Sequence, residues 1–123
     1  LARDQVEAIL ASIPKTQECE RLMFRLLLET DVRISEALGC QVEDLDVRRN
    51  DEHLRVREKG GQTHTIHPHL AARLRSYLRH TDYPHGHLFR TEKNGDGQPW
   101  RYQRIQERRA GYCRAAGILW TLH

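Results

Sequence analysis

The chain has 123 residues, 38% of them hydrophobic and 30% charged, with a formal net charge of +3. This length carries one domain around one core and excludes a multidomain assembly. So small a positive excess does not by itself define a polyanion binder, and the low apolar share leads us to expect that some apolar surface packs on chain beyond this sequence.

Residues 3–12 place Val6, Ile9, Leu10 and Ile13 at helical spacing before Pro14 interrupts. A second helix is expected from an N-cap at Thr16 to about Glu29, with Leu22, Met23, Leu26 and Leu27 as its buried stripe. A third, shorter helix is expected over 33–38, ended by Gly39. From Leu45 the period changes to two. Leu45 and Val47, Leu54 and Val56, and then 63–67 read as three strands of an antiparallel meander, with turns at Asn50-Asp51 and Lys59-Gly60-Gly61. Pro68 suits the first position of a helix, and Leu70, Leu74 and Leu78 recur every four residues behind it. Residues 80–99 read as loop with Leu88-Phe89 as a buried anchor, and a last helix is expected from Trp100 to Ala116, stopped by Gly117. The fold class is therefore α+β, mainly helical, with a small three-stranded antiparallel sheet.

All but three of the twenty basic residues are arginine; the exceptions are Lys15, Lys59 and Lys93. Arginine suits bidentate phosphate contact, although an arginine-rich genome produces the same bias. Cys19, Cys40 and Cys113 form no CxxC pair, which indicates neither a zinc ribbon nor a disulfide framework. With no signal peptide, transmembrane run or lipidation motif in view, a reducing cytoplasm is the expected compartment. His67-Pro68-His69 and His85-Gly86-His87 flank a helix without an acidic or Cys partner at zinc-site spacing, so no metal is expected. Arg101, Arg104 and Arg108 form a stripe on the last helix that reads either as a row of phosphate contacts or as a solvated face.

Three segments in order carry a family resemblance. Residues 29–38, Glu-Thr-Asp-Val-Arg-Ile-Ser-Glu-Ala-Leu, resemble a T-G-L-R-I-S-E-L box. Residues 56–66, Val-Arg-Glu-Lys-Gly-Gly-Gln-Thr-His-Thr-Ile, are similar to a G-K-G-x-K-x-R-x-V turn between two strands. Residues 116–123, Ala-Gly-Ile-Leu-Trp-Thr-Leu-His, resemble the approach to an H-x-L-R box. Together they resemble the catalytic domain of the tyrosine recombinases, or phage integrases, across essentially the whole chain. The departures are Asp31 for the usual Gly, Glu58 for the Gly before the lysine, Gln62 and His64 for basic residues, and Leu122 for proline.

The resemblance implies site-specific DNA recombination or integration without a cofactor: a phosphodiester of double-stranded DNA passes to a tyrosine hydroxyl and then to a new 5′ hydroxyl. It implies that Arg33 is the first of two arginines clamping the phosphate, that Lys59 is the acid protonating the leaving 5′ oxygen, that His123 is a second phosphate donor, and that Glu36 supports Arg33. For Arg33 the residues alone also allow a surface salt bridge with Glu36 or Glu29, and for Lys59 a solubilising turn lysine. The second arginine and the nucleophile are expected beyond His123, because Tyr77, Tyr83, Tyr102 and Tyr112 all precede that box. Residues 1–123 are thus expected to be the N-terminal portion of one catalytic domain, without an upstream core-binding domain and inactive alone. The resemblance implies a parent that is tetrameric on DNA, with this chain a monomer or weak dimer. The other readings are a non-catalytic DNA-binding relic or regulator and, more distantly, a small metal-binding or protein-interaction domain.

Overall fold

The computed structural model describes residues 1–46, 48, 52–56, 63–81, 85–90 and 100–121. Helix α1 spans Arg3–Ala11, α2 Glu18–Glu29, α3 Ile34–Gly39, α4 Pro68–Thr81 and α5 Tyr102–Ala116, and strands β1 Leu45–Asp46, β2 His53–Arg55 and β3 Thr63–Thr65 lie between α3 and α4. The sheet order is β1-β2-β3. Both pairs are antiparallel, with Leu45 opposite Leu54 and Leu54 opposite His64. The expected mainly helical α+β class with a three-stranded meander is what the chain forms. Val47 and both expected turns lie outside the described residues.

Helix α2 is the centre of the molecule. Cys19, Leu22, Met23, Phe24, Leu26 and Leu27 are all buried, so it is apolar around most of its circumference, as a helix packed on several sides must be. It packs against α1, α3 and α4, while α1 and α3 also touch α5. Leu70, Ala71, Leu74 and Tyr77 of α4 and Ile105 of α5 complete the core with Leu88 and Phe89, each at most 2% exposed. The Leu88-Phe89 segment is tied to the end of α3: Leu88 N–H donates to the Cys40 carbonyl at 2.9 Å, and Val42 N–H to that of Gly86 at 2.8 Å.

Helix α5 begins at Tyr102 and β3 ends at Thr65, each two residues inside the expected span, and three further boundaries differ for local reasons. The N-cap of α2 is Gln17 and not Thr16, because Gln17 N–H closes a turn onto the Pro14 carbonyl at 2.9 Å and delays the helix. Gly39 is the last residue of α3, and the exit is made by an extended Cys40. Arg33 caps α3 from outside with extended backbone angles, φ −83° and ψ 158°, so it does not share a helical face with Glu36. Gly117 does end α5, in the left-handed region at φ 70°, where a side chain would be strained.

Candidate active site

The connection between α2 and α3 sets Arg33. Thr30 Oγ1 donates to the Leu26 carbonyl at 2.7 Å and accepts the Val32 N–H at 3.2 Å, fixing how the chain leaves α2. Val32 and Ile34 are buried, so the intervening Arg33, like Asp31 before Val32, faces solvent. Glu36 is 6% exposed and reaches back, its Oε1 accepting the Arg33 N–H at 2.8 Å. The Arg33 carbonyl in turn accepts the Ala37 N–H at 2.9 Å. The main chain of Arg33 is therefore held on both sides while its side chain projects outward.

This geometry bears on the surface salt bridge that the residues alone allow for Arg33. Glu36 holds the Arg33 backbone in a reciprocal cap and does not meet the guanidinium. Glu29 is taken by Arg25 at 3.1 Å. No ion pair to Arg33 occurs among the described residues, so the surface salt bridge with Glu36 or Glu29 is not formed.

Arg33 opens onto a recess of about 400 Å³ lined also by Leu27, Thr30, Asp31, Trp120 and Thr121. The far wall comes from the chain after α5. At Gly117 the Ile118 N–H bonds back to the Cys113 carbonyl at 2.9 Å, turning the chain. Trp120 then lies edge-on to Phe24 of α2, with ring centroids 6.3 Å apart. Its carbonyl accepts from the Arg109 guanidinium. The third sequence segment is thereby brought beside the first. Lys59 and His123 lie outside the described residues.

Of the three arginines expected to form a stripe, Arg101 is exposed at the N-cap of α5 and Arg104 is exposed and faces Glu107 at 3.5 Å. Arg108 turns inward. Its Nε and Nη2 each donate at 2.6 Å to the two oxygens of Glu20, a carboxylate fully buried in α2. Tyr112 donates to the same carboxylate, 2.8 Å from both oxygens, and Arg108 also stacks over the rings of Trp100 and Tyr112. The Glu20 hydrogen bond raises the Arg108 pKa above its ordinary range. Its charge is thus committed inside the protein, which takes it out of a solvent-facing row.

Sequence reasoning missed Glu20. The signal was present: on α2 it stands four residues before Phe24 and seven before Leu27, on a face where every other side chain is apolar. A carboxylate there requires a cationic partner.

The tyrosines are accounted for within the fold, apart from Tyr83, which lies outside the described residues. Tyr77 is buried, Tyr112 is bonded to Glu20, and the Tyr102 hydroxyl accepts from Gln106 at 3.1 Å. Among the described residues no three His, Cys, Asp or Glu side chains gather as metal ligands, and no helix is long and apolar enough to cross a membrane.

A sequence model of the phage integrase family matches residues 1–123. The chain is 29% identical over 127 positions to tyrosine recombinase XerA of Pyrococcus furiosus, covering all of this chain and 43% of that protein. Its fold matches the crystal structure of XerA recombinase with a TM-score of 0.78 at 17% identity, over 99% of this chain and 44% of the other. It also matches XerH site-specific recombinase bound to its difH substrate in a pre-cleavage complex, with a TM-score of 0.72 at 19% identity, over 98% of this chain and 37% of the other. The chain spans less than half the length of each of these relatives.

Proposed function

The chain belongs to the phage integrase family, and we propose that it forms the first part of a catalytic domain that cuts and rejoins double-stranded DNA. In the parent protein a tyrosine hydroxyl, supplied after His123, gives up its proton to solvent as its oxygen attacks the phosphorus. The new P–O bond forms a 3′-phosphotyrosine while the bond to the 5′ oxygen breaks, and that oxygen leaves with a proton from Lys59. Attack by another 5′ hydroxyl reverses the step. Neither metal nor nucleotide cofactor is required.

Arg33 is the phosphate clamp. Charge grows on the non-bridging oxygens in the transition state, and a guanidinium that never loses its charge and presents paired donors stabilises it. The observation that carries this reading is the pinned backbone and outward side chain of Arg33, without an ion-pair partner among the described residues, in a recess walled by Trp120 and Thr121. His123 follows Thr121 by two residues, a reach of about 7 Å, which supports a second donor to the same phosphate. Glu36 acts by fixing the Arg33 main chain. Arg101 and Arg104 are proposed backbone contacts to the duplex; Arg108 is left out because Glu20 holds it. The parent is proposed to act as a tetramer in the cytoplasm, with this chain alone an inactive monomer or weak dimer.

In the parent, Arg33→Ala should lower phosphotyrosine formation by about 10²–10³-fold or more while retaining most duplex binding. The yield of covalent protein–DNA adduct on denaturing gels and fluorescence anisotropy measure the two. Binding that collapses in step with cleavage would refute the clamp. The second reading, a DNA-binding relic, is favoured by Asp31 in the recess; an unsubstituted parent that binds duplex and forms no adduct would establish it.

A further inference from the structure

We infer that Asp31 is a built-in attenuator of the Arg33 anion site, a specificity element that weakens ground-state hold on the phosphate. The inference rests on the reading of Arg33 as a phosphate clamp.

Asp31 and Arg33 are separated by one residue in the connection between α2 and α3. Exposure alternates along it: Asp31 exposed, Val32 buried, Arg33 exposed, Ile34 buried. Extended chain sends alternate side chains to opposite sides, so Asp31 and Arg33 share one side, and both line the same recess. Their Cα atoms are then about 6.5 Å apart. Thr30 stiffens this arrangement through its bonds to the Leu26 carbonyl and the Val32 N–H. Among the described residues neither charge has an ion-pair partner, and they are not paired with each other.

The recess therefore presents one positive and one negative side chain to whatever enters it. An anion seated on the Arg33 guanidinium shares the recess with the Asp31 carboxylate, at a range taken as on the order of 7 Å from the spacing of alternate residues. A unit charge at that range changes affinity by roughly three-fold with water-like screening and by tens of fold with the screening of a protein surface. Added salt shrinks the effect. A neutral residue at position 31 would let the ground state bind more tightly; the carboxylate holds affinity down while leaving the donors of Arg33 in place.

Duplex binding by the 123-residue chain tests this directly, using anisotropy of a fluorescein-labelled 30-base-pair DNA of arbitrary sequence at about 50 mM salt. Asp31→Ala should bind about three- to ten-fold more tightly, and Asp31→Glu should bind like the parent sequence. In an Arg33→Ala background the gain from Asp31→Ala should vanish, because no phosphate is then held beside position 31. A gain that persists in that background would reduce Asp31 to a contribution to net charge and overturn the inference. Weaker binding by Asp31→Ala would overturn it too, by showing that the carboxylate contacts a donor on the ligand. If Arg33→Ala weakens binding and Asp31→Ala changes nothing, the inference alone fails. If no form binds DNA, the phosphate-site reading fails and takes the inference with it.

Discussion

The Tyr112 hydroxyl is held against both oxygens of a buried carboxylate, so removing its proton would set a phenolate beside Glu20. Burial first, and the Glu20 hydrogen bond second, push its ionisation well above the ordinary 10.0. The unfolded chain gives up that proton near pH 10 and the folded chain keeps it. The associated stability is therefore complete below pH 10 and is lost as pH rises further, by up to about 1.4 kcal/mol per pH unit. Tyr112→Phe should be less stable than the parent sequence by about 1 kcal/mol at pH 7, and the gap should close above pH 10. Urea melts at pH 7, 10 and 11 measure this; a gap that stays constant across them would mean that Tyr112 ionises freely in the folded state.

Helix α5 is an amphipathic helix whose described core contacts are few, with Ile105 and Cys113 its only buried residues. What joins it to α2 is largely the Glu20–Arg108 pair with its aromatic surround. Deleting Arg108 strands a fully buried carboxylate, an error that costs about 3–5 kcal/mol in comparable settings. Arg108→Ala should thus lower the melting temperature by about 10 °C or more, far beyond an exposed pair such as Arg104–Glu107. Replacing both ions, Glu20→Leu with Arg108→Met, should recover part of that loss, since no unpaired charge then remains. Circular-dichroism melts of the three forms decide it, and a single substitution that costs less than the double one would be incompatible with this account. The same helix marks what local sequence conveys. Its end at Gly117 was legible because only glycine sits easily at φ 70°. The inward turn of Arg108 was not, because its cause lies 88 residues away on another helix. The start of α2 differs for a local cause instead: Thr16 has the better capping side chain, but the Pro14–Gln17 turn takes its place.

At the scale of the whole molecule, periodicity was enough for the layering, since α2 and α4 declare their buried faces through Leu, Met and Phe at helical spacing. The proposed site rests on its motif at Arg33, whereas the way Glu36 holds the Arg33 main chain depends on backbone angles that no residue pattern encodes. On the proposed function, charge distribution sets how the site would meet DNA. With a net charge of only +3 and Arg108 neutralised internally, the chain lacks a broad positive field, so long-range steering should contribute little. Binding must come from a few local phosphate contacts, for which Arg33, Lys59, Arg101 and Arg104 are the proposed groups. Each phosphate neutralised releases counterions, giving a slope of about −0.9 per contact in log K against log salt. Four contacts predict a slope of about −3 to −4 for duplex binding by this chain, and weak binding overall. Titrations from about 50 to 200 mM salt should therefore lose roughly a hundred-fold in affinity. Arg101→Ala should make the slope shallower by about one unit. Tight binding that ignores salt would place the contact energy in base edges or apolar surface, contrary to an interface made of a few exposed guanidinium groups.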